Sequence, residues 1–211
     1  IVLDKEPANL KIINDNDSPQ LKESKTLDNA LIRENFQRNF ALKKLHEVND
    51  NDLILINDLD EIPELKNFSY KNKITIFKQR MLYFKFNLVY KNLSWTGSKI
   101  CKKKDLISPQ WLRNIKTRKY PLWRLDIFFS KKKYNNIEII ENGGWHFTNI
   151  KTADEIHHKM KSFLHHFEYE NSGLNPEMIE KLIKDKKALY NYNADQRDNK
   201  WSNNTELEKI N

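Results

Sequence analysis

Leu27, Leu31, Phe36, Phe40 and Leu45 recur at steps of four or five residues, with Leu42 widening the same face. This spacing predicts an amphipathic helix over 27–48. Asn49-Asp50-Asn51-Asp52 ends it, and Leu53-Ile54-Leu55-Ile56 follows as an unbroken apolar run between turn residues, the pattern of a strand buried on both faces. β-Branched and aromatic residues then predict strands at 73–78, 81–90 and 94–100. Ser108-Pro109 opens a short helix through Ile115, with proline at a position where its missing N–H costs nothing. A strand at Ile137–Ile140 leads into Gly143-Gly144-Trp145-His146-Phe147. Thr152 and Glu155 form a capping box at the head of a long helix, and Asn175-Pro176 starts another. The first 25 residues are polar and weakly periodic, and the chain from 191 reads as a loose polar tail. The expected organisation is one α/β domain over 1–190 followed by the tail at 191–211.

Composition narrows the function. The 211 residues are 38% hydrophobic and 11% aromatic, enough for a core, and hold only 4 Gly and 6 Pro, which excludes collagen-like and wholly disordered chains. The single cysteine, Cys101, excludes an internal disulfide framework and has no sequence partner that would make it reactive. No apolar run reaches the length of a membrane span. The sequence opens at Ile1 with neither an initiator Met nor a signal-peptide pattern, and is read as truncated at its N-terminus. The net charge of +8 is unevenly placed: residues 65–134 carry 19 Lys/Arg against 2 Asp/Glu. Such a block attracts polyanions, whether nucleic acid, an anionic membrane surface or a phosphorylated substrate, or is simply a solvated lysine-rich surface.

Ligands of open α/β sheets bind at the carboxyl ends of strands. Asp58 and Asp60 stand there, directly after Leu53–Ile56, with Glu61 adjoining them. Carboxylate oxygens so spaced suit Mg²⁺ or Mn²⁺, which keep waters and substrate phosphate oxygens in their shell. The competing account is a solvated acidic turn.

Several segments together resemble glycosyltransferase family 17, the family of the β-1,4-mannosyl-glycoprotein β-1,4-N-acetylglucosaminyltransferase. They are Glu34-Asn35-x-x-Arg38-Asn39, LILINDLDEIP at 53–63, Tyr83-Phe84, Trp95-x-Gly97, GGWHFTNI at 143–150, and a helix containing Lys161-Ser162-Phe163 and His165 to Glu168. The resemblance covers about residues 30–170, and NDLDEIP and GWHF are its specific parts. It implies a GT-A-like nucleotide-diphospho-sugar transferase fold with a mixed sheet, lacking the opening strand that precedes these motifs in the family. It also implies a UDP-sugar donor, a glycan or glycolipid acceptor, and inverting transfer of an N-acetylglucosamine-type sugar.

On that basis Asp58, Asp60 and His146 are the expected metal ligands. Asp58, Asp60, Arg38 and Trp145 are the expected donor contacts, and Glu61, Asp60 and His146 the expected catalytic groups. Glu61 is the first candidate for the base that takes the acceptor proton, and Asp126 the second. Each has a plainer account: Glu61 as an acid at a helix start, Arg38 paired with Glu34, and His146 and Trp145 as packing residues. His157, His158, His165 and His166 read as surface or packing residues. The rival function is a non-catalytic or nuclease-like domain binding nucleic acid through 65–134; no nucleic-acid-binding motif is present, so no nucleic-acid partner is expected. With no anchor in the chain, a cytoplasmic location is expected, the alternatives being the Golgi lumen or membrane association through an upstream anchor.

Overall fold

The computed structural model describes residues 3–66, 68–121, 123–162, 166–194, 201 and 205–210. The chain is mixed α/β and divides into two compact units, each made of two separated stretches: Ile1–Lys78 with Thr96–Gly143, and Gln79–Trp95 with Gly144–Asn211.

The first unit begins with helix α1, Pro19–Phe40, which starts eight residues before the predicted position. Ser18 caps it by accepting from Leu21 N, and Pro19 sits in its first turn, the same signal that marks the later helices. The last part of the predicted helix is a 3₁₀ segment, Ala41–Glu47. The apolar face expected of α1 is not buried: Leu31 and Leu42 are exposed, and the one buried residue is Asn29, whose side chain pairs with the backbone of Lys11.

Four strands form the first sheet: β1 (Leu53–Ile56), β3 (Ile74–Phe77), β6 (Lys99–Lys102) and β7 (Ile137–Ile140), in the order β1-β6-β3-β7. β6 lies antiparallel to both β1 and β3, and β3 lies parallel to β7. β1 is therefore an edge strand, with Leu53 43% exposed and only Ile54 buried, which corrects the expectation of burial on both faces. The central strand is β3, buried at all four positions. Its core partners are Cys101, Ile137, Trp111 and Leu112 from helix α2, Pro109–Asn114, and Ile115 just after that helix. Ser108 caps α2 as predicted, accepting from Trp111 N. Burial pushes the Cys101 thiol up to about 12, in keeping with an inert residue. A three-residue strand, β2, spans Glu61–Pro63.

The second unit is built on β4 (Gln79–Tyr83), β5 (Leu88–Trp95), β8 (Gly144–Thr148) and β9 (Leu207–Lys209). β4 pairs antiparallel with β5 and parallel with β8, and β5 pairs antiparallel with β9. The single strand predicted over 81–90 is thus the turn of a hairpin, reversed at Phe84, whose φ is 63°. Helices α3 (Ala153–Lys161), α4 (His166–Ser172) and α5 (Pro176–Lys184) complete the unit. The Thr152–Glu155 capping box and the Asn175 cap are both present, but the long predicted helix ends at Lys161.

Residues 205–210 of the tail are tied down. Leu207 is buried in the core with Tyr83, Tyr90, Ile156 and Tyr169, and Tyr90 Oη donates to Thr205 Oγ1 at 2.8 Å. The physical reason is that β5 offers a free edge and Leu207 supplies an apolar side chain to the same core. Among the described residues no helix is long and apolar enough to cross a membrane.

Candidate functional site

The carboxyl end of β1 leads into a tight turn that folds on itself. Glu61 N donates to Asp58 O at 3.1 Å, and Asp58 N donates to Glu61 Oε2 at 3.1 Å. Asn57 Nδ2 ties the turn by donating to the carbonyls of Asp58 and Glu61. Leu59 at its tip is wholly exposed, and Asp60 beside it is half-buried.

The Glu61 side chain is fully buried, and it is a strand residue rather than the start of a helix. Arg113 Nη1 donates to both of its oxygens at 2.9 and 2.8 Å, and Ser98 Oγ donates to Oε2 at 3.1 Å. The same guanidinium donates from Nη2 to Asp58 Oδ2 at 2.6 Å. Arg38, from α1, donates from Nη2 to Asp58 Oδ1 at 3.2 Å and to Glu34 Oε1 at 2.8 Å. The result is an alternating chain of charges, Glu34–Arg38–Asp58–Arg113–Glu61, reaching from an exposed end at Glu34 to a buried end at Glu61.

Two helices are fixed by the same residues. Arg38 Nη1 donates to Gln110 Oε1, and Gln110 N donates to Asn39 Oδ1 at 2.9 Å, so α1 and α2 are clamped beside the turn. Burial works against the charge on Arg38, but Glu34 and Asp58 outweigh it and hold its pKa above the ordinary value. Lys99 is buried behind this network, its ammonium donating to the carbonyls of Arg113 and Ile115 at the end of α2. Desolvation, reinforced by the neighbouring Arg113 charge and opposed by Glu61, lowers Lys99 to about 8.

A pocket of about 360 Å³ opens on the outer half of the network, lined by Glu34, Gln37, Arg38, Ile56, Asp58 and Pro109 among others. It presents a guanidinium and two carboxylates at the end of a strand, where a polar or charged ligand can be received.

The structure thus brings Arg38, Asp58 and Glu61 together, with Asp60 on the same turn. Glu61, expected as the first candidate for the base, is buried and held on both oxygens by Arg113, which it positions. Asp126, the second candidate, stands apart from the turn. It lies outside this network, bound by Arg124 and Lys133, which hold its carboxyl down at about 2.

His146 and Trp145 are neighbours on β8 in the other unit. His146 is buried, stacks on Trp95 with ring centroids 4.6 Å apart, and hydrogen-bonds Thr148 Oγ1 through Nδ1 at 3.1 Å. Trp145 alternates to the opposite face and is 38% exposed. Among the described residues no group of three or more His, Cys, Asp or Glu side chains is gathered as a metal site. Phe163 and His165, part of the motif helix, lie outside the described residues. His157 Nδ1 hydrogen-bonds Tyr169 Oη, a packing role.

Arg113, Gln110 and Ser98 are the members of the network that sequence reasoning did not reach. Gly97 did carry a signal, since an isolated glycine in strand-rich sequence marks a close approach of another group. Comparison with protein-family models, with curated proteins and with solved structures returned no match for this chain.

Proposed function

We propose that the protein transfers a sugar, of N-acetylglucosamine type, from a UDP-sugar donor to a hydroxyl of a glycan or glycolipid acceptor, on a GT-A-like fold. The observation that carries this reading is the paired-arginine, paired-aspartate turn at the end of β1, open to a pocket. A departing nucleoside diphosphate needs cationic groups already in place where its charge develops. Arg38, reaching the pocket with its charge secured by Glu34 and Asp58, is such a group. Arg113 braces the turn from the buried side, so that Asp58 and Asp60 keep their place when ligands arrive.

Asp58 and Asp60 would be the residues to hold a divalent cation at this turn. Asp58 and Asp60 offer hard oxygens, and Mg²⁺ or Mn²⁺ is commonly held by one or two carboxylates plus substrate phosphates rather than by a full protein cage. Each Asp58 oxygen accepts one arginine hydrogen bond and retains lone-pair capacity. When bound, the cation would neutralise charge on the leaving diphosphate.

Calorimetric titration of UDP and of UDP-N-acetylglucosamine, with Mn²⁺ and with EDTA, tests the reading. Binding that requires the metal and disappears in Asp60→Asn supports it. Binding indifferent to both, or absent from the stably folded protein, overturns it.

A further inference from the structure

The basic stretch contains a second feature unrelated to the charge network. Between α2 and β7, residues 116–133 carry seven Lys/Arg and one Asp. The segment is closed at its base, where Lys116 N donates to Lys132 O at 2.8 Å, and it is anchored from α2 by Trp111 Nε1 donating to Lys131 O at 2.7 Å. At its far end a 3₁₀ turn, Leu125–Ile127, turns Ile127 inward and buries it. Successive backbone bonds from Arg124, Ile127, Phe128 and Ser130 fold the tip. Arg124 and Lys133 join across it through Asp126, and both lie within 6 Å of the Tyr120 ring. This is a built loop with its own internal frame.

What that frame displays is unusual. Trp123, Leu125, Phe128 and Phe129 are 78%, 72%, 69% and 91% exposed, four large apolar side chains within seven residues. Scattered apolar residues on a surface need no explanation, but a contiguous cluster held out by a hydrogen-bonded turn marks an interaction surface. Lys116, Arg118, Lys119, Lys131 and Lys132 stand exposed on the two stems. The order is an apolar tip behind a basic collar.

We propose that this loop docks the protein on an anionic lipid surface. Tryptophan, phenylalanine and leucine suit the boundary between headgroups and acyl chains, while lysine and arginine a few ångströms behind meet the phosphates. A second copy of the chain is a poorer occupant, because pairing two tips would bring two strongly positive collars together. A single-stranded nucleic acid is also poorer, because it needs aromatics interleaved with cations along a groove rather than an aliphatic-aromatic tip. The proposal stands apart from the transfer reading. If both hold, a protein seated on a bilayer would meet acceptors that are themselves lipid-borne.

Co-sedimentation with vesicles tests it, using phosphatidylcholine alone and an equal mixture of phosphatidylcholine and phosphatidylglycerol. The expected result is binding to the mixed vesicles only, weakened by added salt. Replacing the tip residues (Trp123→Ser with Phe128→Ser and Phe129→Ser) should reduce partitioning by about tenfold or more, with the melting temperature unchanged because these side chains are exposed. Lys131→Gln with Lys132→Gln should reduce it several-fold. Should the triple variant melt early, Phe129→Ser alone, at the most exposed position, should still show a measurable loss. Equal binding by wild type and a folded tip variant would overturn the proposal. So would tight binding of a single-stranded oligonucleotide without vesicle binding, or a tip-dependent dimer in sedimentation equilibrium without vesicle binding.

Discussion

The Glu61 carboxylate occupies the space that a side chain at Gly97 would need: a Cβ built there falls 1.8 Å from Oε1 and 2.5 Å from the Arg113 Nη1 bound to it. Gly97→Ala must therefore displace a buried ion pair rather than a flexible tip. Overpacking of this kind costs about 1–3 kcal/mol, with more if Glu61 is expelled without its partner. Thermal and urea denaturation check this, and the companion Glu61→Ala, which removes the closest of the clashing atoms, should make a later Gly97→Ala less costly than it is alone. Additive losses in that cycle would mean the two positions do not compete for room.

Arg113→Ala leaves Glu61 as a buried carboxylate without its guanidinium. Removing one partner of a buried pair costs about 3–5 kcal/mol, far more than the pair contributes on balance. Glu61→Gln in the same background should recover part of the loss, because the amide carries no charge to desolvate. Denaturation midpoints of the four proteins in the cycle give the answer, and a single-mutant cost under about 1 kcal/mol would show that water reaches the carboxylate.

Lys99 sets a pH dependence with a definite sign. Its pKa falls from 10.5 when unfolded to about 8 when folded, so below pH 8 both states hold the proton and the folded state carries the desolvation penalty. Between about pH 8 and 10.5 the unfolded chain binds more protons, and the Lys99 contribution to stability rises with pH. Stability measured across this window should lose that rising component in Lys99→Met. An unchanged slope would show that Lys99 titrates normally.

Leu207→Ala removes a buried side chain from the core of the second unit, and large-to-small changes of this type cost about 2–5 kcal/mol. A truly loose tail would tolerate it with no change. Limited proteolysis provides a second readout, since cleavage within 205–210 should be slow in the wild type and fast in the variant.

Legibility in the sequence tracked the range of the interaction. Ser108-Pro109, Thr152 with Glu155, and Asn175-Pro176 are signals that act within one helical turn, and each caps its helix as read. Ser18-Pro19 carries the same signal and was masked by the polar sequence around it, because the first turns of α1, residues 19–26, show no apolar periodicity. The β4–β5 hairpin escaped because its reversal uses Phe84 at positive φ, where glycine or asparagine is the usual marker. The edge position of β1 depends on which strands flank it, a fact no local pattern holds.

The candidate site divides in the same way. Asp58, Asp60 and Glu61 were visible from their place after an apolar run, and Arg38 from its motif. Arg113 was not, because it lies 52 residues beyond Glu61 and meets it only through the packing of α2. The surroundings of Glu61 were hidden for the same reason, since the group that binds its oxygens is that distant in sequence.

The two units each draw on two stretches of chain, and this interleaving governs the order in which the protein can assemble as it is synthesised. The β4–β5 hairpin leaves the ribosome well before β8 and β9, the strands that flank it, have been made. The first sheet must likewise wait for β7, which arrives just ahead of β8. A growing chain therefore carries open strand edges until β7 completes the first sheet and, much later, β9 covers the edge of β5, a state in which wrong pairing and aggregation compete with folding. Neither unit can be excised as one continuous peptide, so fragments cut at either boundary would be expected to depend on chaperones or on their missing half.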